Sequence, residues 1–547
     1  MAKPLIYPRP QWLKEKPGQA FALTADTPIL ATEGARAEAA HLQRWLRQDL
    51  GLALAVTGYS EGRRGIMVGL LGDGAIRDGC LTRGIRTDGR EAVPEGYLLD
   101  VGREHVLVAG HDAAGVFYGL QRLRQMLRWE GQTPCLAGAE VHDWPFKPLR
   151  GVHLYMPPRA ELPFFERLLE ALAALHYNTL FLEVGGGMRY ERHPEINRAW
   201  EDYVRRITAL PGGVVEAEHG YPFPKNSTHY ELAGGSFLEK DEVRGILAQA
   251  RALHIEVIPE VQSLSHAYYL CCAHPEIAER PEDPFPDTYC PSNPASYALL
   301  FDVMDEVIEV FQPRIVHTGH DETYTYGLCP RCRGKSGAEL VAGDINRIHD
   351  YLAARGIRMA LWGDKLMNII VGGRPQGGRE ITVPAGSWFK SAEDYRMGET
   401  YPAVEQVPRD ILILNWYWGV DPSADAYFAR AGLQQIYGNL AQQGRWAFRG
   451  WDQLAAPASV LGAEVSTWCE VSEWALGHDA CFFNLMYSAE PLWWRHYHDR
   501  ERARVLGDVA RLQPLLRDRL GARRSPSLAR GVRYTPVSLG NVANAPA

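Results

Sequence analysis

From Arg150 to about Trp468 the chain repeats one pattern: a short apolar run, a loop, then a stretch with apolar residues at helical spacing. Eight such runs fall at residues 151–155, 178–184, 256–261, 314–317, 357–362, 411–416, 433–437 and 463–468. Apolar residues at consecutive positions describe strands covered on both faces, as in a parallel sheet wrapped by helices. The helical stretches supply that cover. Residues 163–175 put Phe164, Phe165, Leu168, Leu169 and Leu172 on one face, and 241–253 do the same with Val243, Ile246, Leu247 and Ala250. Asn293 followed by Pro294 caps and opens a third helix, whose inner side carries Leu300, Val303, Met304, Val307 and Phe311. Eight strands alternating with helices predict an α/β chain built on a (β/α)8 TIM barrel over residues 149–497.

What precedes the barrel reads differently. Residues 42–50 form a short amphipathic helix, 65–71 a buried strand, 96–101 with 106–109 a hairpin, and 113–127 a helix, which together predict a small α+β domain over residues 1–148. Two prolines in Asp143-Trp-Pro-Phe-Lys-Pro148 mark the boundary. Residues 498–547 begin Arg-rich and predict closing helices followed by a tail without pattern.

A net charge of -8 with both signs interspersed leaves no basic stripe for nucleic acid and no polybasic membrane anchor. The opening residues lack an apolar signal core and no run approaches the roughly 18 apolar residues of a bilayer span, so a cytoplasmic protein is expected, acting on neutral or weakly polar small molecules and open to homo-oligomerisation. Nine scattered cysteines, an odd number, predict reduced thiols rather than a disulfide framework. Cys329-Pro-Arg-Cys332 has zinc-knuckle spacing that Cys271, Cys272 or Cys290 would complete; buried free thiols are the plainer reading, and no metal or cofactor is assigned.

In a TIM barrel the chemistry sits where strands end. Reading those exits in order gives Glu183; Glu260, Gln262 and His266; the run His317-Thr-Gly-His-Asp-Glu322; Trp362 and Asp364; Asn415, Trp416 and Trp418; Tyr437 and Asn439; and Trp468 with Glu470. Tryptophans interleaved with carboxylates and amides describe a sugar pocket, flat apolar walls with hydrogen-bonding groups between them, although any one of these rings also suits core or rim packing. Asp321 and Glu322 are adjacent carboxylates at the fourth exit. On an extended segment they would point to opposite faces, reach one ligand from two sides and hold different protonation states, as acid-assisted bond cleavage requires; otherwise such a pair is a solvated pair or a helix cap.

These residues carry a family resemblance over nearly the whole chain. Ile6-Tyr-Pro-Arg-Pro, Glu95-Gly-Tyr and Ala114-Gly-Val-Phe-Tyr-Gly-Leu-Gln resemble the accessory domain of glycoside hydrolase family 20, the β-N-acetylhexosaminidases. Arg150-Gly151, Glu256-Val-Ile-Pro-Glu with His266, Cys290-Pro-Ser-Asn-Pro, His317-Thr-Gly-His-Asp-Glu322 against the signature H-x-G-G-D-E, and Gly462-Ala-Glu-Val-Ser-Thr-Trp-Cys-Glu470 resemble, in order, segments of its barrel. The resemblance implies a retaining reaction without an enzyme nucleophile. Glu322 would protonate the leaving oxygen, and Asp321 would orient the substrate's 2-acetamido group, whose carbonyl oxygen attacks. Glu322 then needs a raised pKa and Asp321 a lower one. By the same resemblance Arg150 would bind ring hydroxyls and Glu470 outer ones. Trp362, Trp468 and one of Trp416 or Trp418 would cage the acetamide methyl, and Tyr437 would hydrogen-bond the acetamide oxygen. His266 and His317 would set the acid's protonation.

The chain departs from the pattern at His320, in place of a signature glycine, which would set an imidazole beside Asp321 or narrow the pocket. It departs at Gly185-Gly-Gly187, where a carboxylate partner for His266 is missing and Glu183 would substitute, and at Asn439, in place of an aspartate. The expected activity is exo-cleavage of terminal β-linked N-acetylglucosamine or N-acetylgalactosamine from glycans or glycoconjugates. Two other readings stand beside it: a metal-dependent hydrolase using His317, His320, Asp321 and Glu322, and a non-catalytic sugar-binding barrel.

Overall fold

The computed structural model describes residues 5–520, apart from residues 61, 88, 90, 212–213, 217–221, 384–394, 421 and 442–447. The tail expected beyond residue 520 lies outside the described residues. Contacts divide the chain into two units. One holds residues up to Pro148 together with Ala171–Tyr177 and Ala489–Leu515; the other holds Leu149–Glu170 and Asn178–Ser488.

The first unit is built on a seven-stranded mixed sheet in the order Trp12–Glu15, Ala139–Asp143, Tyr97–Val101, His105–Gly110, Gly65–Leu70, Ile29–Ala31, Val56–Gly58. The hairpin expected at 96–109 is present and antiparallel, with Leu99 opposite Val108. The helix Ala113–Gln125 starts where the Asp112 side chain accepts from the Gly115 N–H, and it buries Val116, Phe117, Leu120 and Leu123. Within this unit Arg122 and Asp143 are wholly buried. Asp143 accepts from Tyr97 Oη at 2.6 Å, Arg122 Nη2 at 3.2 Å and Trp493 Nε1 at 3.0 Å.

The second unit is a closed barrel of eight parallel strands: β1 Leu149–Tyr155, β2 Thr179–Glu183, β3 Glu256–Ser263, β4 Ile315–Gly319, β5 Arg358–Trp362, β6 Leu412–Asn415, β7 Gln434–Tyr437 and β8 Val460–Ser466, closed by β8 against β1. All eight expected strands are found. Helices α1 Leu162–Ala174, α2 Lys240–Ala252, α3 Pro294–Phe311 and α4 Gly337–Ala353 fall between strands, and Asn293 caps α3 by accepting from Ala295 N–H. Phe181, Ile258, Ala360, Trp362, Leu412, Leu414 and Ile436 fill the barrel interior. Burying each of the Leu, Ile and Phe side chains among them stabilises the fold by about 1.5–3 kcal/mol. Alternation along each strand sends the intervening residues outward to the helices. Among the described residues no helix is long and apolar enough to cross a membrane.

Candidate active site

The inward positions of β1, β3, β4 and β8 carry charge where apolar side chains would ordinarily stand. His153, Glu260, His317 and Glu464 are all fully buried. Glu260 is the hub. It pairs with His317 Nδ1 at 2.9 Å, with His153 Nε2 in a short contact, and accepts from Trp362 Nε1 at 3.0 Å and Gln262 Nε2 at 3.1 Å. Burial opposes ionisation of Glu260, yet the charges of His317 and His153 hold its carboxyl well below the usual range. Glu260 in turn overrides the burial of His153 and lifts that imidazole to about 9.

Above this layer, β4 ends at Gly319, and Asp321 and Glu322 lie in a turn rather than on an extended segment. Gly319 has φ +67°, and a Cβ there would lie 1.8 Å from Gln262 Oε1, so glycine is required. His320 and Glu322 also have positive φ, at 75° and 49°. The expected opposite-face geometry is therefore replaced. The left-handed turn aims both carboxylates at one imidazole, with His266 Nε2 3.5 Å from Asp321 Oδ2 and 3.8 Å from Glu322 Oε2. Ser265 Oγ donates to the Asp321 carbonyl, and Glu322 N–H donates to Asp364 Oδ2 at 3.2 Å, which hold the turn from two sides.

The two carboxyls are driven apart. Burial raises both, but His266 more than offsets it for Asp321, which lies below the ordinary carboxylate value; for Glu322 burial prevails over His266, and the neighbouring Asp321 charge adds to it, so its carboxyl is raised. His266, despite its burial, is lifted to about 10, chiefly by Asp321. Asp364 is pushed up to about 6 by burial, beside the buried Lys365 at 4.0 Å.

The residues expected from sequence divide into two groups. At the barrel mouth Trp362 and Trp468 stand 5.6 Å apart between centroids, and Trp416 packs beside them on the inner cluster. Trp468 Nε1 donates to Asn439 Oδ1 at 2.7 Å, and Asn439 N–H donates to Glu464 Oε1 at 2.8 Å, which links the exits of β7 and β8. Glu470 lies at the rim, its N–H on Glu231 Oε2 at 2.9 Å; burial and then the Glu231 charge raise its carboxyl.

The second group faces elsewhere. Trp418 is fully buried against Tyr437 and donates to the Gly438 carbonyl, while the Tyr437 hydroxyl donates to the Leu454 carbonyl at 3.0 Å. Tyr437 belongs to the outer layer because Ile436 takes the inward position of β7, and Trp418, in the turn after β6, stacks on it there. Arg150 is the second residue of β1, opposite Ala463 near the strand's beginning, and the five residues that follow carry the strand about 16 Å to its exit. It stands at the wrong end of the barrel for the proposed hydroxyls. His320 turns outward to Asp344 of α4 at 2.9 Å and neither narrows the pocket nor acts on Asp321. His317 serves Glu260 rather than the acid pair. With His320 on Asp344, His317 on Glu260 and the carboxylates on His266, those four residues do not make a metal-ligand set.

Glu183 has a different partner from the one expected. It bonds His229 Nδ1 at 2.8 Å, and His229 stacks on His266 with centroids 4.3 Å apart. Sequence reading missed His229, which lies in the long β2–β3 connection where no periodic pattern marks it. It also passed over His153 and Glu464, for which a signal exists: a charged residue at the inward position of an apolar strand. Several buried atoms here have no hydrogen-bond partner, among them Asp321 Oδ1, Glu183 Oε2, Tyr155 Oη, Asp364 Oδ1 and both His266 nitrogens. Such a concentration at one barrel mouth is the mark of groups awaiting a ligand.

Residues 3–144 match the description "Glycosyl hydrolase family 20, domain 2", and residues 161–496 match "Glycosyl hydrolase family 20, catalytic domain". The chain belongs to glycoside hydrolase family 20. Its family 20 relatives include a β-hexosaminidase of Porphyromonas gingivalis, 26% identical over 69% of this chain and 48% of that protein. A lacto-N-biosidase of Bifidobacterium bifidum is 24% identical over 69% of this chain and 31% of its own length. The chain thus spans half or less of these two curated relatives. Among solved structures, a β-N-acetylhexosaminidase of Bacteroides fragilis matches with TM-score 0.67 at 18% identity, over 94% of this chain and 96% of that one. The Streptomyces plicatus N-acetyl-β-hexosaminidase matches with TM-score 0.65 at 20% identity, over 96% and 97%. These likenesses place the barrel and the N-terminal domain within the family's fold.

Proposed function

We propose that this chain is an exo-acting retaining glycosidase that removes terminal β-linked N-acetylglucosamine or N-acetylgalactosamine from glycans or glycoconjugates, with the sugar's own 2-acetamido group as nucleophile. The observation that carries the reading is the split of Asp321 and Glu322 around His266, one carboxyl lowered and its neighbour raised. The raised carboxyl, protonated near working pH, gives its proton to the glycosidic oxygen as the C1–O bond breaks and the acetamide oxygen bonds to C1. Asp321, ionised, accepts from the acetamide N–H and stabilises the positive charge that develops on the ring so formed. In the second half Glu322, now a carboxylate, takes a proton from the water that opens that ring at C1. Anomeric configuration is retained because C1 is inverted twice.

Trp362, Trp416 and Trp468 would enclose the acetamide methyl, and Asn439 and Glu470 would meet the hydroxyls. His229, stacked on His266 and fixed by Glu183, would hold the imidazole in place. A panel of chromogenic β-glycosides differing at C2 and C4, assayed with and without a thiazoline that mimics the cyclised intermediate, tests the proposal. Substrates with the acetamide should turn over and be blocked by the thiazoline. A plain β-glucoside cleaved as fast as its N-acetyl counterpart, or release of the inverted anomer, would overturn it.

A further inference from the structure

We propose that Glu279, Cys290, Cys329 and Cys332 form a structural zinc site that ties the loop after β3 to the loop after β4. Cys290 Sγ lies 3.3 Å from Cys329 Sγ and 3.5 Å from Cys332 Sγ, and these sulfurs and a Glu279 carboxylate oxygen all lie within 4.8 Å of one another. The separations are far longer than the roughly 2.05 Å of a disulfide. Tetrahedral zinc with Zn–S bonds of about 2.3 Å sets its sulfurs about 3.7–3.8 Å apart, so the two separations from Cys290 Sγ stand a few tenths of an ångström inside that size. All three thiols are free. The turn at Cys329-Pro-Arg-Cys332 closes through Cys332 N–H on the Cys329 carbonyl at 3.1 Å, which brings its two sulfurs to the same side.

Glu279 is an independent pointer. It is 2% exposed, and its Oε1 accepts from Leu328 N–H at 2.6 Å and Cys329 N–H at 2.9 Å, which fixes the carboxylate in place. Its Oε2 is buried with no hydrogen-bond partner. A fixed carboxylate oxygen whose only neighbouring donors are the weak S–H groups of three thiols is costly to bury unless a cation meets it. Three thiolates and one carboxylate suit a borderline-soft ion of tetrahedral habit, which is zinc before magnesium or calcium. A cavity of about 470 Å³ lined by Glu279, Cys290, Leu328 and Cys329 gives an ion its way in.

The position says what such an ion would do. Glu279 and Cys290 belong to the loop that carries His266; Cys329 and Cys332 follow Asp321 and Glu322 within one loop. The protein already ties these loops through Glu279 Oε1 on the Leu328 and Cys329 N–H groups, Lys335 Nζ on Ser292 Oγ at 2.8 Å, Thr325 Oγ1 on Thr288 Oγ1 at 2.8 Å and Ser265 Oγ on the Asp321 carbonyl, and an ion would add four bonds to them. Four protein donors leave no open position for substrate or water, so the zinc holds the loops and takes no part in bond cleavage.

Elemental analysis of the full chain purified under reducing conditions should find one zinc per molecule, and X-ray absorption at the zinc edge should report three sulfur neighbours and one oxygen. Cys332→Ser and Glu279→Ala should lose the metal, while Cys80→Ser keeps it. Chelation of the wild-type protein should lower its Tm, and added zinc should restore it. Should a variant fail to fold, the wild-type zinc content and absorption spectrum decide alone. Absence of zinc with a mass two hydrogens below the reduced chain, a different metal, or undiminished zinc in Cys332→Ser would overturn the proposal.

Discussion

The molecule contains two buried charge clusters built to opposite ends. In the first unit Arg122 and Asp143 are enclosed with Tyr97 and Trp493, and Asp143 meets five donors within 3.2 Å, the Gln11 and Trp144 N–H groups among them. At the barrel mouth His266, Asp321 and Glu322 stand 3.5 and 3.8 Å apart, with lone pairs and ring nitrogens left over. A satisfied cluster gives up its donors to stability. An unsatisfied one keeps them for something that arrives later, at a cost to the resting fold. Backbone geometry follows the same division, since Leu264, His266, His320, Glu322, Asn439 and Trp468, all at strand exits, have positive φ, which a side chain adopts only where surrounding packing compels it.

The largest effect is expected at Glu322. Glu322→Gln should lower kcat/KM by about 10²- to 10⁴-fold, more for sugar aglycones than for activated aryl ones whose oxygen needs no proton, and leave Tm unchanged or higher. Scanning calorimetry and kinetics on a graded series of leaving groups check this, and a fall in Tm as large as the fall in rate would erase the distinction between the clusters. Next in size, Arg122→Met leaves Asp143 buried without its cation and should destabilise by about 3–5 kcal/mol in denaturant titration, with kcat/KM per folded molecule unchanged.

The smallest effect concerns pH. His266 lowers both carboxyls, so Asp321, already low, sets the acidic limb of activity, and Glu322, raised, sets the alkaline limb, activity being lost as pH rises through it. Removing the cation in His266→Gln should raise both carboxyls and move both limbs of the kcat/KM profile to higher pH. A profile that merely falls in height would show that His266 positions without tuning.

How far the site was legible in the sequence depends on the kind of question asked. The eight strands could be read because a strand buried on both faces must be apolar at every position, a pattern few other structures produce. The segment containing the carboxylate pair could be read because strand exits are where a barrel exposes polar groups. Which way a ring points could not be read as safely. Tyr437 went to the outer layer because one position along a strand reverses the face, whereas Trp416 and Trp418 lie in the turn after β6, where strand alternation no longer assigns a side. His320 was placed by Asp344, a residue 24 positions away on a helix, and Arg150, given the ring hydroxyls by resemblance alone, stands at the beginning of its strand rather than at its exit. His229 entered the site from a long connection with no periodicity at all.

By itself, then, the order of residues determined the barrel and the pairing of Asp321 with Glu322, since these rest on short-range spacing and on what each side chain prefers to bury. Only the tertiary structure decided that both carboxylates share His266, that Glu183 serves it through His229, and that Glu279 and Cys290 meet Cys329 and Cys332. Those groups come from separate loops, and it is barrel closure that brings them within reach of one another, in surroundings where charge is felt strongly enough to separate two neighbouring carboxyls.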